Sequence, residues 1–129
     1  MLAAEALVYL LGSSAGVATM VGGRVYPQLV PQTATRPAIA YQRISHIPEH
    51  SHSGFSSLTR TRYQLTLEGN THAEALNLAL AVRRALSGVR NTVGDLTVVT
   101  MVENESDGYG DTAQVPVVRM DLMMTHNES

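Results

Sequence analysis

Residues 62–88 read RYQLTLEGNTHAEALNLALAVRRALSG, and the hydrophobic period changes in the middle of this stretch. In the first part apolar and polar residues alternate, which predicts a strand over Phe55–Glu68 with one buried face and one polar face. In the second part apolar residues recur at helical spacing from Ala75 to Leu86, behind a capping-box pattern formed by Thr71 and Glu74. A long strand followed by an amphipathic helix is therefore the centre of the predicted fold.

The N-terminal part of the chain predicts two short helices and then an extended segment. Apolar spacing indicates a helix over Leu2–Leu11 that ends at Gly12, and a second helix over Ala15–Met20 that ends at a pair of glycines. Prolines at positions 27, 31 and 37 then predict extended chain that pairs poorly as a central strand.

Three further strands are predicted over Pro37–His46, Asp95–Val102 and Gln114–His126, with Asp107-Gly108 as the turn between the last two. The order of elements has no βαβ alternation, which favours the α+β class. We expect a mostly antiparallel sheet, with an N-terminal helix and one long central helix packed on one face. The length of 129 residues suits a single domain over residues 1–129.

Composition excludes several kinds of chemistry. The chain has no cysteine, so disulfides and thiolate chemistry are excluded, and it has no lysine, so Schiff-base catalysis is excluded as well. The formal net charge of -2 does not suggest a nucleic-acid binder, and neither a leader peptide nor a membrane partner is expected. Residues 24–62 carry five arginines and one glutamate, whereas residues 91–129 carry one arginine and seven acids. This split either balances within the fold or joins neighbouring subunits.

The histidine-rich stretch HIPEHSHSG at 46–54 is the main candidate for metal chemistry. His46, Glu49, His50 and His52 are possible ligands of a small metal-dependent enzyme. Pro48 breaks any helical register between His46 and His50, however, and no motif supplies a third ligand. The preferred interpretation is the tip of a long hairpin between two strands.

The acidic stretch ENESDGYGD at 103–111 imitates the opening of a calcium loop, but the twelfth position is Gln114, where a bidentate glutamate is needed. We interpret it as a second polar hairpin tip, and we expect both tips to be mobile in an isolated subunit. No metal, cofactor or catalytic residue is expected.

A combination of short motifs resembles one protein family. The motifs are VGGRVYP at 21–27, PQTATRP at 31–37, YQRIS at 41–45, RYQL at 62–65 and EALNLALAVRRAL at 74–86. Together they resemble the tail-completion proteins of long-tailed bacteriophages, which are also called tail-terminator or tail-to-head joining proteins. The likeness covers nearly the whole chain, except for the segment from Gly88 to Asp111.

The resemblance implies an α+β virion protein without catalytic residues, made in the host cytoplasm and placed at the head-proximal end of the tail. Such proteins form a ring, usually of six subunits, that ends the tail tube and meets the head connector. The implied partners are further copies of the chain, the tail-tube protein and the connector, while DNA passes through the lumen without sequence-specific binding. Another phage neck or head-completion protein is the nearest alternative.

Twelve residues are candidates for contacts with a neighbouring subunit or another partner. They lie in the proline-rich segment, the long hairpin and the acidic stretch: Arg24, Tyr26, Pro27, Arg43, His46, His50, His52, Arg60, Arg62, Glu103, Glu105 and Asp107.

Overall fold

The computed structural model describes residues 2–50, 57–109 and 115–127, with only the backbone described at 48–50 and 57. It contains three helices and six strands within these residues. The helices are α1 (Ala3–Ser13), α2 (Ala15–Val21) and α3 (His72–Leu86). The strands are β1 (Val25–Pro27), β2 (Ala38–His50), β3 (Ser57–Glu68), β4 (Val89–Val93), β5 (Leu96–Tyr109) and β6 (Pro116–Asn127).

The six strands form one mixed sheet in the order β1-β2-β3-β6-β5-β4. Strand β1 joins β2 in parallel, and the other four neighbouring pairs are antiparallel. Strands β2 and β3 and strands β5 and β6 are the two long hairpin pairs, and β3 pairs with β6 in the centre. The predicted α+β class is confirmed.

One face of the sheet and all three helices enclose the main core. Alternate residues of β3 (Tyr63, Leu65 and Leu67) are buried there, as the period of two in the sequence predicts. The predicted apolar stripes of α1 and α3 are buried as well. Complete burial of one leucine side chain contributes about 1.5–3 kcal/mol, so this shared core holds the helices on the sheet.

The junction between β3 and α3 is tight. A Cβ atom at Gly69 would lie 2.6 Å from the backbone nitrogen of Ala75, so the close approach of strand and helix requires a glycine. Thr71 Oγ1 accepts a hydrogen bond from the Glu74 N–H at 3.1 Å, which confirms half of the predicted capping box. The Glu74 carboxylate accepts from the Asn70 N–H at 2.7 Å, not from Thr71 as the box pattern predicts.

The proline-rich segment covers part of the opposite face of the sheet. Val30 packs with Ala38 and Ala40 of β2, whose side chains alternate with Ile39 of the main core. Arg36 donates through Nε to Glu68 at 2.9 Å, and both side chains are 11% exposed. The predicted extended chain therefore anchors to the sheet, and its first residues add the parallel edge strand β1, which the sequence did not indicate.

The helices α1 and α2 depart slightly from their predicted ends. Helix α1 continues through Gly12 to Ser13, so the predicted stop at Gly12 is wrong, whereas α2 does end at Gly22, which has a left-handed φ of 55°. No single helix in the described residues is long and apolar enough to cross a membrane. The two together pass by length and composition, with a bend of 89° between them.

Strand β5 is much longer than predicted, and the predicted turn at Asp107-Gly108 is wrong. Both residues lie inside β5, where they pair with Val118 and Val117 of β6. A Cβ atom at Gly108 would meet the Arg119 guanidinium at 2.7 Å, so the glycine makes room for an arginine on the neighbouring strand. The turn between β5 and β6 therefore lies beyond Tyr109.

Candidate interaction surfaces

The sheet has two long strand edges without a neighbour. Strand β1 pairs with β2 only at Ile39–Tyr41, so no described strand lies against the outer edge of β2 from Gln42 to His50. Strand β4 pairs with β5 only at Leu96–Thr100, so no described strand lies against β5 from Met101 to Tyr109. Unpaired backbone N–H and C=O groups on an edge are able to bind a further strand.

The two free edges lie at opposite corners of the sheet. The β2 edge is at the end where β2 approaches the β2–β3 connection, beyond β1. The β5 edge is at the other end, beyond β4, where β5 approaches the β5–β6 connection. Each side of the sheet therefore has a stepped outline, because the short edge strand covers only part of the long strand beside it.

The edge of β2 carries a basic and an apolar side chain next to each other. Arg43 is exposed beside Tyr63, and β2 has a bulge between Arg43 and Ser45. Burial raises the pKa of the Tyr63 hydroxyl above its ordinary value. The positive charge of Arg43 lowers this pKa in part, whereas the neighbouring Tyr41 raises it. Ile44 and Ile47 on the same stretch are 50% and 58% exposed. Exposed apolar residues beside unpaired edge groups favour the binding of a further strand.

Three predicted interface acids near the other edge are paired within the subunit. Arg83 Nη1 of α3 donates to both carboxylate oxygens of Glu105, at 2.7 and 2.8 Å. The imidazole of His72, at the start of α3, lies 3.3 Å from the Asp107 carboxylate. These contacts place Glu105 and Asp107 on the helix-covered side of β5. They hold its free edge against α3 while leaving the Asp107 side chain 55% exposed.

The third acid, Glu103, lies on the open side of the sheet, which is the face opposite the helices. Arg62 Nη2 of β3 lies 2.7 Å from Glu103 Oε1 of β5, so two residues predicted separately as interface candidates contact each other. Both are partly exposed, at 32% and 40% of their side-chain surface. An exposed pair of this kind contributes about 0–1 kcal/mol, so its main effect is to balance charge on this side of the sheet.

A hydrogen-bonded histidine chain closes one end of the core. His126 is 1% exposed, and its Nδ1 lies 2.7 Å from the Asn127 carbonyl oxygen. Its Nε2 lies 2.9 Å from Thr61 Oγ1, which in turn lies 2.9 Å from His46 Nδ1. When both histidines are neutral, all three contacts are satisfied if each Nδ1 carries the proton and the Thr61 hydroxyl donates to His126.

This tautomer leaves Nε2 of His46 as an acceptor at the surface. The sequence did not indicate a role for His126, because its partner Thr61 is 65 residues away.

The remaining candidates have different surroundings. Arg24 donates to the carbonyl oxygens of Met20 and Pro37, both at 3.1 Å, so it fastens α2 to the start of β2. Tyr26 is half-buried against the Val30 cluster, and Pro27 is exposed. Arg60 is exposed on β3. The side chains of His50 and His52 lie outside the described residues.

The described residues form no candidate metal centre. No group of three or more His, Asp or Glu side chains among them is placed to hold a metal ion. The side chains of Glu49, His50 and His52 lie outside this set. An open groove of about 290 Å³ lies between α1 and the end of α3, and none of its lining residues is titratable: Leu10, Ser13, Ser14, Ala85, Leu86 and Asn91.

The described surfaces are strand edges and ion pairs, and comparison with known proteins identifies the class of protein. The family model described as "Tail completion protein gp17" matches residues 5–123. The chain belongs to this family of tail-completion proteins, as the sequence resemblance indicated. It is therefore a structural protein of a phage-like virion.

A solved structure with a similar fold comes from a comparable particle. It is described as "Virion of native gene transfer agent (GTA) particle", with a TM-score of 0.68 and 17% sequence identity over 94% of this chain and 92% of that chain. At this identity the likeness concerns the fold. No curated protein has a significantly similar sequence.

Proposed function

We propose that this protein ends the tail tube as a ring of six subunits at its head-proximal end and joins the tail to the head connector. The tail-completion family supports the location. The observation that carries the proposal is the pair of free strand edges at opposite corners of the sheet. A subunit with two different edges can bind one neighbour on each side, and repeated contacts of this kind close into a ring.

The implied partners follow from this position. Copies of the chain contact one another through surfaces that include Arg43, His46, Glu105 and Asp107, while the tail-tube protein and the head connector contact the two ends of the ring. DNA passes through the lumen without sequence-specific binding, because the net charge of -2 gives no strong attraction to phosphate. We infer a non-enzymatic role because the family is structural.

An infection in which this protein is not produced tests the proposed function. Without it, we expect tail tubes of variable and excessive length and few heads with tails attached, because nothing ends tube growth. Electron microscopy of the lysate measures both properties. Supplying the wild-type chain from a plasmid should restore a single tail length and the attachment of heads.

The same experiment separates this function from that of a head-completion protein. A head-completion protein acts on the capsid, so its loss should leave tails of normal length beside heads that lose their DNA. Tails of uniform normal length in the absence of this chain would contradict the proposed function.

A further inference from the structure

We propose that neighbouring subunits of the ring join by pairing the free edge of β2 in one copy with the free edge of β5 in the next, so that one sheet continues around the ring. This inference rests on the proposed function and names the contact that builds the ring. Its first support is that the two edges match in length. Gln42–His50 and Met101–Tyr109 contain the same number of residues, and each contains one bulge.

The directions of the strands and the stepped outline also match. Strands β2 and β5 run in opposite directions in the sheet, so the new pairing is antiparallel. In the assembled sheet, β1 of one copy lies beyond the end of the neighbour's β5, and the neighbour's β4 lies beyond the end of β2. The short edge strands thus act as stops that limit sliding of one copy along the other.

The faces of the two sheets select a register. Residues directly opposite in a continuous sheet must point to the same face. Asp107 and Glu105 point to the helix side, where they contact α3, and His46 points to that side through its bond to Thr61. A register with His46 opposite Glu105 satisfies this rule. It also places Arg43 opposite Asp107, which puts a basic residue opposite an acidic one on the helix side.

The geometry of this register is compatible with closure. Within one subunit Arg43 and Asp107 are four residue pairs apart along the sheet, which is about 13 Å at about 3.3 Å per residue. The strands β2, β3, β6 and β5 together span about 19 Å at about 4.8 Å per strand. A shift of this size corresponds to a strand tilt of about 35°, and strands of closed barrels tilt by about 35–45°.

The two edges also oppose wrong pairings. Pro48 on β2 has no N–H to donate, so two β2 edges pair poorly with each other. Two β5 edges would bring Glu105 and Asp107 of one copy close to those of the other, with only the partners within each subunit to offset the charge. The heterologous pairing of β2 with β5 avoids the second problem and limits the first to one position.

Disulfide cross-linking tests the pairing, because the chain has no cysteine of its own. In the proposed register Ser45 of one copy lies opposite Ser106 of the next, on the open side of the sheet. Opposite residues in an antiparallel pair have Cα atoms about 4.5–5.5 Å apart, within the range of disulfides. The double variant Ser45→Cys/Ser106→Cys, assembled on tails and oxidised mildly, should give a ladder of cross-linked subunits on a non-reducing gel.

Matched variants make the result specific. Ser45→Cys combined with Thr92→Cys, which is exposed on the edge strand β4, should give no ladder. If the double variant fails to join tails, assembly from a mixture of the Ser45→Cys and Ser106→Cys single variants should give cross-linked dimers. Tails of normal length with no cross-link, or an equal ladder with Thr92→Cys, would overturn the pairing and leave the proposed function intact. A wild-type chain that does not join tails would overturn both.

Discussion

Replacement of Thr61 by valine should destabilise the subunit much more than its loss of one hydroxyl group suggests. Valine has nearly the same shape, so packing is kept, but it cannot donate to Nε2 of His126. That nitrogen is completely buried, and Thr61 is its described hydrogen-bond partner. A buried polar atom left without a partner costs about 1–3 kcal/mol.

This free energy translates into a measurable change in melting temperature. With about 2.1 cal/mol/K of unfolding entropy per residue, a chain of 129 residues loses about 4 °C in Tm per kcal/mol. We therefore expect Thr61→Val to lower the Tm by about 4–11 °C, measured by circular dichroism or calorimetry at neutral pH.

A matched control is available on the same strand. Thr66 is half-buried on the other face of β3, and its hydroxyl makes none of the described hydrogen bonds. Thr66→Val should change stability by less than about 0.5 kcal/mol. Equal melting temperatures for Thr61→Val and Thr66→Val would refute the role assigned to the histidine chain.

Three further predictions concern stability. Thr71→Ala removes the hydroxyl that accepts from the third residue of α3, and urea unfolding should show a loss of about 1 kcal/mol; an unchanged midpoint would argue against the cap. Gly69→Ala should destabilise the fold, because the new Cβ would meet the Ala75 nitrogen. Gly12→Ala, in open space on α1, should stabilise the fold by about 0.5–1 kcal/mol. A lower melting temperature for Gly12→Ala than for Gly69→Ala would contradict this prediction. Because the pKa of Tyr63 is raised in the folded protein, Tyr63 ionises first in the unfolded chain, near pH 10. Its contribution to the free energy of unfolding is therefore fully present below that pH and is lost as the pH rises toward the folded pKa. The loss should not exceed about 1.4 kcal/mol per pH unit and should be absent in Tyr63→Phe, as alkaline unfolding curves of both proteins would show.

Local patterns predicted the elements whose signals lie within a few residues. Helix α3 follows from its cap and its apolar stripe, and β3 follows from its alternation, because each pattern is complete within the element. The strands β1 and β4 are only 3 and 5 residues long, too short for a period to be visible. They form because a long strand already offers an edge to pair with.

Long-range pairing overrode the strongest local turn signal. Asp107-Gly108 is a good turn sequence, but β6 supplies a partner for Asp107, Gly108 and Tyr109, and the glycine leaves space for the Arg119 side chain. A pattern within a few residues cannot reveal a requirement that comes from the neighbouring strand.

The charges of the candidate surfaces show the same limit. Arg62 and Glu103 were predicted separately as interface candidates, and the sequence did not predict that they would contact each other, because they are far apart in the chain. The partners of Glu105 and Asp107 on α3 were missed for the same reason. The free edges of the sheet are visible only once the order and lengths of all six strands are known.

A reconstruction of the head–tail joint of intact particles by electron cryomicroscopy tests the central claim most directly. We predict a single closed ring of this chain between the last tail-tube ring and the head connector, with β2 of each copy beside β5 of the next. Density for this chain elsewhere in the particle, or its absence from the end of the tail tube, would contradict the account.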